Sequence, residues 1–321
     1  TAFDVRCSRL AFNTTYTTLR RFKTLPGTNG TVPCLLGFSL FTWLGFDTKK
    51  VTPEDELIHT IKHCVLFIQR GEFEKAEQLL HIALRQAQQI RHELGVTYIY
   101  DVMANLALER EQLDKAKALF ISVTQRIMSG GVTEDDTKVV HISAKLARIS
   151  HLKKEYSTAQ LGYDWCLEKL NTILLNNPSN DNKKLLAVTE DWYGRLFVDN
   201  NQCEQGIVLM IKALEHMKEV GEIENEHIVY QLNDIGTVYD RLGKHEESID
   251  YFNRAIELGK SLKMEDLGTM YVNIGRVYIK QSLLQEARKY CGQGWKLGAQ
   301  YKNDDVKKEA ESCIKQIKSL S

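Results

Sequence analysis

An all-α solenoid of about six helix pairs, closed by a terminal capping helix, is the fold class this sequence predicts. Three observations carry it: a residue pattern that returns six times, a long but regular period, and turn-forming residues between the units. With Gly236 as reference, the pattern continues at Tyr239, Ser248, Phe252 and Ala255. The same offsets pick out Cys64, Phe67, Ala76, Leu80 and Ala83, then Ala104, Ala107, Ala116, Phe120 and Val123. They recur at Ala147, Ser150, Ala159, Tyr163 and Cys166, at Gly194, Phe197, Gly206, Met210 and Ala213, and at Gly275, Tyr278, Ala287, Cys291 and Gly294. Small residues at the first and third positions let two antiparallel helices cross closely, and the bulky residue four positions later fills the groove beside the crossing.

That is the tetratricopeptide pattern, in which each pair buries its apolar face only by stacking on its neighbours. The elements follow in order. Residues 1–30 carry Arg6, Arg9, Arg20, Arg21 and Lys23 against the single acid Asp4, among many hydroxyl side chains. Arg-rich, Ser/Thr-rich and acid-poor is the composition of a mitochondrial transit segment; a disordered basic tail is the plainer reading. Within residues 31–50, the stretch Val32–Phe46 contains no charge. As a helix it would rise about 22 Å against a hydrocarbon core of roughly 30 Å. It reads as a membrane anchor or as an apolar strap on the first repeat. The flanking basic residues favour an inner-membrane arrangement with the repeats in the intermembrane space.

The array occupies residues 51–321, with units at 57–90, 97–130, 140–173, 187–220, 229–262 and 268–301. Thr52-Pro53-Glu54-Asp55 has the hydroxyl cap, early proline and acids of a helix start. The third position of the pattern recurs after 40, 43, 47, 42 and 39 residues. A minimal unit needs about 34, so helices or connections are longer than the minimum. Gly71 and Gly243 mark tight turns within pairs, and Gly130–Gly131 and 176–182 mark breaks between them. The fourth unit, with Gly206 where Ala is usual, departs from a strong repeat, and a bend in the stack is expected there. Residues 304–320 read as a charged amphipathic helix covering the end of the stack.

Composition narrows the function. Basic and acidic residues balance at 42 each and are interleaved, which speaks against nucleic acid as a partner, since that binding needs a basic face. The seven cysteines form no CxxC. Cys64, Cys166 and Cys291 fall on core positions of the pattern and read as buried thiols, with no disulfide framework. No phosphate-binding, zinc-protease or nucleophile-elbow motif occurs. His59 and His63 are two potential ligands that lack a third. The expectation is a protein without catalytic residues, metal or cofactor.

Such an array binds through the first helices of its pairs, whose second, fifth, ninth and twelfth positions are expected to be exposed. In the first unit these are Ile58, Ile61, Val65 and Ile68, an apolar strip suited to an amphipathic helix. Further along they include Tyr98, Asp101, Asn105, Arg148, Asp191, Arg195, Tyr230, Asn233 and Arg276. Asp101/Asn105 and Asn233/Thr237 occupy the positions at which chaperone-binding members carry a Lys/Asn clamp; the lysine is missing, so capture of a C-terminal carboxylate is not expected. The three arginines are candidates to face acidic groups of a protein partner.

Specific stretches narrow the resemblance. GEFEKAEQLLHIALRQAQ (71–88), VTYIYDVMANLALEREQLDKAKALF (96–120), GGVTEDDTKVVHISAKLARI (130–149) and LGYDWCLEKL (161–170) resemble the mitochondrial tetratricopeptide repeat protein 19 family. The likeness spans roughly 54–321 and is strongest to about 170. It implies an inner-membrane protein associated with respiratory complex III and linked to its Rieske iron–sulfur subunit. The implied role is complex III assembly or maintenance, through Rieske maturation or clearance of that subunit's N-terminal fragments. The alternative is a soluble adaptor in cytosolic signalling or cargo binding.

Overall fold

The computed structural model describes residues 52–221 and 223–320. The 1–30 and 31–50 segments of the sequence reading lie outside them. The chain divides between Glu134 and Asp135 into two compact units.

The first unit holds four helices: α1 (Pro53–Gln69), α2 (Phe73–Gln89), α3 (Glu93–Glu109) and α4 (Leu113–Ser129). A capping box starts α1: the Asp55 N–H donates to Thr52 Oγ1 at 3.1 Å, and the Thr52 N–H donates back to Asp55 Oδ2 at 3.1 Å. Leu57, Ile61, Cys64 and Ile68 of α1 meet Ala76, Leu80 and Ala83 of α2 and Val96, Ile99 and Met103 of α3 in one buried cluster.

The second unit holds α5 (Thr137–Leu152), α6 (Tyr156–Asn176), α7 (Asn180–Asp199), α8 (Cys203–Val220), α9 (Asn225–Arg241), α10 (His245–Ser261), α11 (Gly268–Lys280), α12 (Leu284–Gln300) and α13 (Asp304–Leu320). Its largest apolar cluster runs from Val198 and Met210 through Leu232, Ile235 and Phe252 to Met270 and Val277. The terminal helix α13 sets Ala310, Cys313 and Ile317 against Val272, Ile279, Ala287 and Cys291, so the last pair is covered.

The long period has a simple origin. Two 17-residue helices such as α1 and α2, each followed by a three-residue turn, account for 40 residues. The longest spacing arises where α6 and α7 extend to 21 and 20 residues. Most turns place one residue in the left-handed region, at Gly71, Gly221 and Gly243 but also at Arg91, Glu111, Lys154, Asn201, Lys263, Ser282 and Lys302. Glycine reaches this conformation without cost and the other residues do not. The local hydrogen bonds hold it: after α1, the Gly71 N–H donates to Ile68 O and the Glu72 N–H to Phe67 O.

Small residues act as the spacing predicts. A Cβ on Gly236 would stand 2.9 Å from the Phe252 ring, and Ser248 Oγ donates to Gly236 O at 2.7 Å across the crossing. At the fourth pair, Gly206 serves the crossing directly. A Cβ there would meet Gly194 O at 2.6 Å, so the two glycines set α7 and α8 backbone to backbone. The expectation for cysteine needs correction at one place: Cys291 is not a thiol but is disulfide-bonded to Cys313. The pairing joins residues 22 apart that only the docking of α13 brings together, with Cα atoms 6.1 Å apart, and no short motif announces it. Cys64 and Cys166 are buried free thiols.

Candidate protein-binding surfaces

Seven of the thirteen residues expected on an exposed inner face are buried: Ile61, Val65, Ile68, Asn105, Arg148, Asp191 and Asn233. Ile58, Tyr98, Asp101, Arg195, Tyr230 and Arg276 are half-buried. Burial has a separate cause in each place. Ile61 and Ile68 belong to the core between α1, α2 and α3. Asn105 turns back onto its own helix, its Nδ2 donating to Asp101 O at 2.7 Å. In the second unit the first helices of successive pairs lie side by side, and their polar residues bond to one another.

Arg195 on α7 is the centre of this arrangement. Its Nε donates to Asp191 Oδ2 at 2.8 Å, and its Nη2 to Asp234 Oδ2 on α9 at 2.7 Å and to Gln231 Oε1 at 3.3 Å. Asp191 is fully buried and Asp234 is 6% exposed. Burial pushes the Asp234 carboxyl above its ordinary value, while the Arg195 charge and hydrogen bond pull it down. On the far side of α9, Asn273 Nδ2 donates to Asn233 Oδ1 at 3.0 Å, and Tyr230 Oη donates to Asp266 Oδ2 at 2.8 Å.

On α5, Arg148 is turned inward. Its Nη1 donates to His151 Nδ1 at 2.9 Å, which leaves His151 Nε2–H to donate to Asp199 Oδ2 at 3.0 Å. That donor order fixes a neutral imidazole with its proton on Nε2. Burial works to raise the Asp199 carboxyl, but the His151 hydrogen bond and the charges of Arg148 and Arg241 outweigh it and hold it low. Nearby, burial and then the Lys145 ammonium push His141 well below its ordinary value. On α7, Glu190 accepts from His216 Nδ1 at 2.7 Å, yet burial keeps its carboxyl raised.

Arg276 on α11 keeps its side chain 42% exposed, with Glu309 of α13 at 3.5 Å. It is the arginine of the three best placed to meet a partner. Sequence reasoning missed Gln231, Asp234, Asp199 and Asn273. A signal was present: Arg195 and Asp234, like Asn233 and Asn273, sit about one repeat apart and carry complementary polar groups.

The buried thiols are poor nucleophiles, since burial pushes both Cys64 and Cys166 up to about 12. His59 and His63 place their Nε2 atoms 3.2 Å apart, and among the described residues no group of three His, Cys, Asp or Glu comes together. Also among the described residues, no helix is long and apolar enough to cross a membrane; Val32–Phe46 lies outside them. What the geometry offers is a pair of rigid helical surfaces suited to holding another protein.

Comparison with known proteins agrees. A family profile described as Tetratricopeptide repeat matches residues 232–259. Tetratricopeptide repeat protein 19 homolog, mitochondrial, from Drosophila melanogaster is 38% identical over 284 residues, covering 88% of this chain and 77% of the fly protein. The chain belongs to the tetratricopeptide repeat protein 19 family. Within that family the Homo sapiens protein is 28% identical, with 79% of this chain and 69% of the human protein covered. The relatives carry mitochondrial names, and this member is accordingly a mitochondrial repeat protein. Among solved structures, the apo form of RapI has a TM-score of 0.60 at 13% identity, covering 83% of this chain and 86% of that one. BtubC from P. vanneervenii has a TM-score of 0.54 at 20% identity, covering 82% and 93%. These two likenesses are to the fold alone.

Proposed function

We propose that this chain is a non-enzymatic assembly or maintenance factor of mitochondrial respiratory complex III at the inner membrane. In this reading it binds the complex and aids Rieske subunit maturation or the clearance of that subunit's N-terminal fragments. The observation that supports it is family-level identity across most of the chain, 38% over 88% of its length. The fold is in keeping with the role: helix pairs present side chains on a rigid frame, and the polar groups of the second unit stiffen it. The mitochondrial family sets the cytosolic adaptor aside.

Within this proposal the contact residues are those that keep accessible surface, namely Ile58, Tyr98, Asp101, Tyr230 and Arg276. The buried members of the inner face (Ile61, Val65, Ile68, Asn105, Arg148, Asp191 and Asn233) and the Arg195 bridge hold them in place. The repeats stand in the intermembrane space. Chemical cross-linking in intact mitochondria, read by mass spectrometry, tests the reading. Cross-links from both repeat units to complex III subunits, the Rieske protein among them, are expected. Cross-links confined to other inner-membrane proteins would overturn it.

A further inference from the structure

The sixth helix pair departs from the pattern in one respect that the structure explains. At the position where the other pairs set Leu80, Phe120, Tyr163, Met210 and Phe252, it sets Cys291. A small residue there leaves the groove beside the crossing unfilled. The Cys313 sulfur of α13 comes in from outside and completes it, bonded to Cys291. Gly275 on α11 makes the room, since a Cβ at that residue would run into Cys291 Sγ.

The bond is sealed. Cys291 is 0% and Cys313 2% exposed, and Val272, Ile279, Ala287, Ala310 and Ile317 pack around them. No thiol or disulfide reagent reaches the sulfurs while α13 is seated, so the bond has to form before or as that helix docks. Once formed, it is shielded from thiolate attack by the same side chains. The bond therefore behaves as a permanent part of the fold and not as a reversible switch.

We propose that Cys291–Cys313 is an oxidative staple installed during folding, and that the second unit matures in a compartment that supplies disulfide donors. Chemically, the Cys313 thiolate attacks one sulfur of a donor disulfide and expels the other donor sulfur as a thiolate. The Cys291 thiolate then attacks the Cys313 sulfur of the mixed disulfide and expels the second donor thiolate. The two protons lost by the cysteines and the two electrons end on the donor, which leaves as a dithiol. Persistent disulfides belong to oxidising compartments, which agrees with repeats on the intermembrane-space side. The inference concerns the chain's own cysteines and does not depend on complex III.

Differential alkylation of the full chain tests it. Mitochondria are quenched in denaturant with light N-ethylmaleimide, then reduced and labelled with the deuterated reagent, and the peptides are weighed. Heavy label on Cys291 and Cys313 in most copies, with light label on Cys64, Cys166 and Cys203, is the expected result. Light label on both Cys291 and Cys313 would overturn the proposal. In a second arm, trypsin cleavage at Lys302, in the turn before α13, is timed on purified protein. Cys313→Ala should accelerate it at least tenfold, while Cys203→Ala leaves it unchanged. An unchanged rate in Cys313→Ala would show that the bond does not hold the cap, contrary to the proposal.

Discussion

Replacing Arg195 by leucine removes the cation that bridges Asp191 and Asp234. Both carboxylates stay buried, at 0% and 6% exposure. Taking one partner out of a buried ion pair costs about 3–5 kcal/mol, because the remaining charge is left without compensation. The Arg195 side chain is 18% exposed, so water enters the vacated space and the lower end, about 3 kcal/mol, is expected for Arg195→Leu. At a urea dependence of about 1–3 kcal/mol per molar, the midpoint should fall by about 1 M or more. Fluorescence of Trp192, next to Asp191 and only 3% exposed, reports on the relevant unit. The pH dependence adds a second check. Burial already raises the Asp234 carboxyl and Arg195 counters it; without the arginine it rises further. A raised folded-state value means that the folded form gains protons first, so the variant's deficit shrinks as pH falls through that value and widens as pH rises. Adding Asp191→Asn and Asp234→Asn to Arg195→Leu should restore most of the loss. A loss below about 1 kcal/mol with no pH dependence is what an exposed pair gives, and it would refute the buried-bridge reasoning.

Four further outcomes are expected. Gly206→Ala should lower stability by about 1–3 kcal/mol through overpacking against Gly194 O, although alanine is the better helix former by about 1 kcal/mol. Gly292→Ala, where a Cβ meets nothing within 4 Å, should raise it; paired thermal melts decide both. Glu77 is held low first by the Lys115 hydrogen bond, with burial opposing and the Lys115 and Arg110 charges assisting. Its contribution is present at neutral pH and lost as pH falls through the lowered folded-state value. Glu77→Gln should therefore cost about 1 kcal/mol at pH 7 and flatten the acid limb of a stability–pH curve. Lys154 sits at φ +62°, so Lys154→Gly should gain about 0.5–1 kcal/mol in chemical denaturation, the relief of a left-handed residue less the added chain entropy.

The helix pairs were legible because their signal is local. Small and bulky residues at fixed offsets within one unit are enough to place a crossing, and Gly71 and Gly243 stand at turns, as their sequence context implied. The close crossing at Gly206 was not legible, because a rule about usual residues says nothing of how near two backbones come; its partner Gly194 was in the same pattern and made the closer approach possible. The inner face was misread for a related reason. Positions two, five, nine and twelve describe one pair taken alone, whereas Arg195 is engaged by Asp234, 39 residues away. His151 likewise meets Asp199 48 residues on. A search for complementary polar residues one period apart would have found the Arg195–Asp234 and Asn233–Asn273 relations. Nothing of that kind marks Cys291 and Cys313, whose meeting depends on how α13 closes the last pair.

The central claim, that this mitochondrial repeat protein serves complex III, meets its most direct test in a native gel of mildly solubilised mitochondria probed for this chain and for the Rieske subunit. Co-migration with the complex III dimer is expected, with loss of that band when the complex is absent. Migration as a free monomer, together with normal complex III in cells lacking the protein, would contradict it.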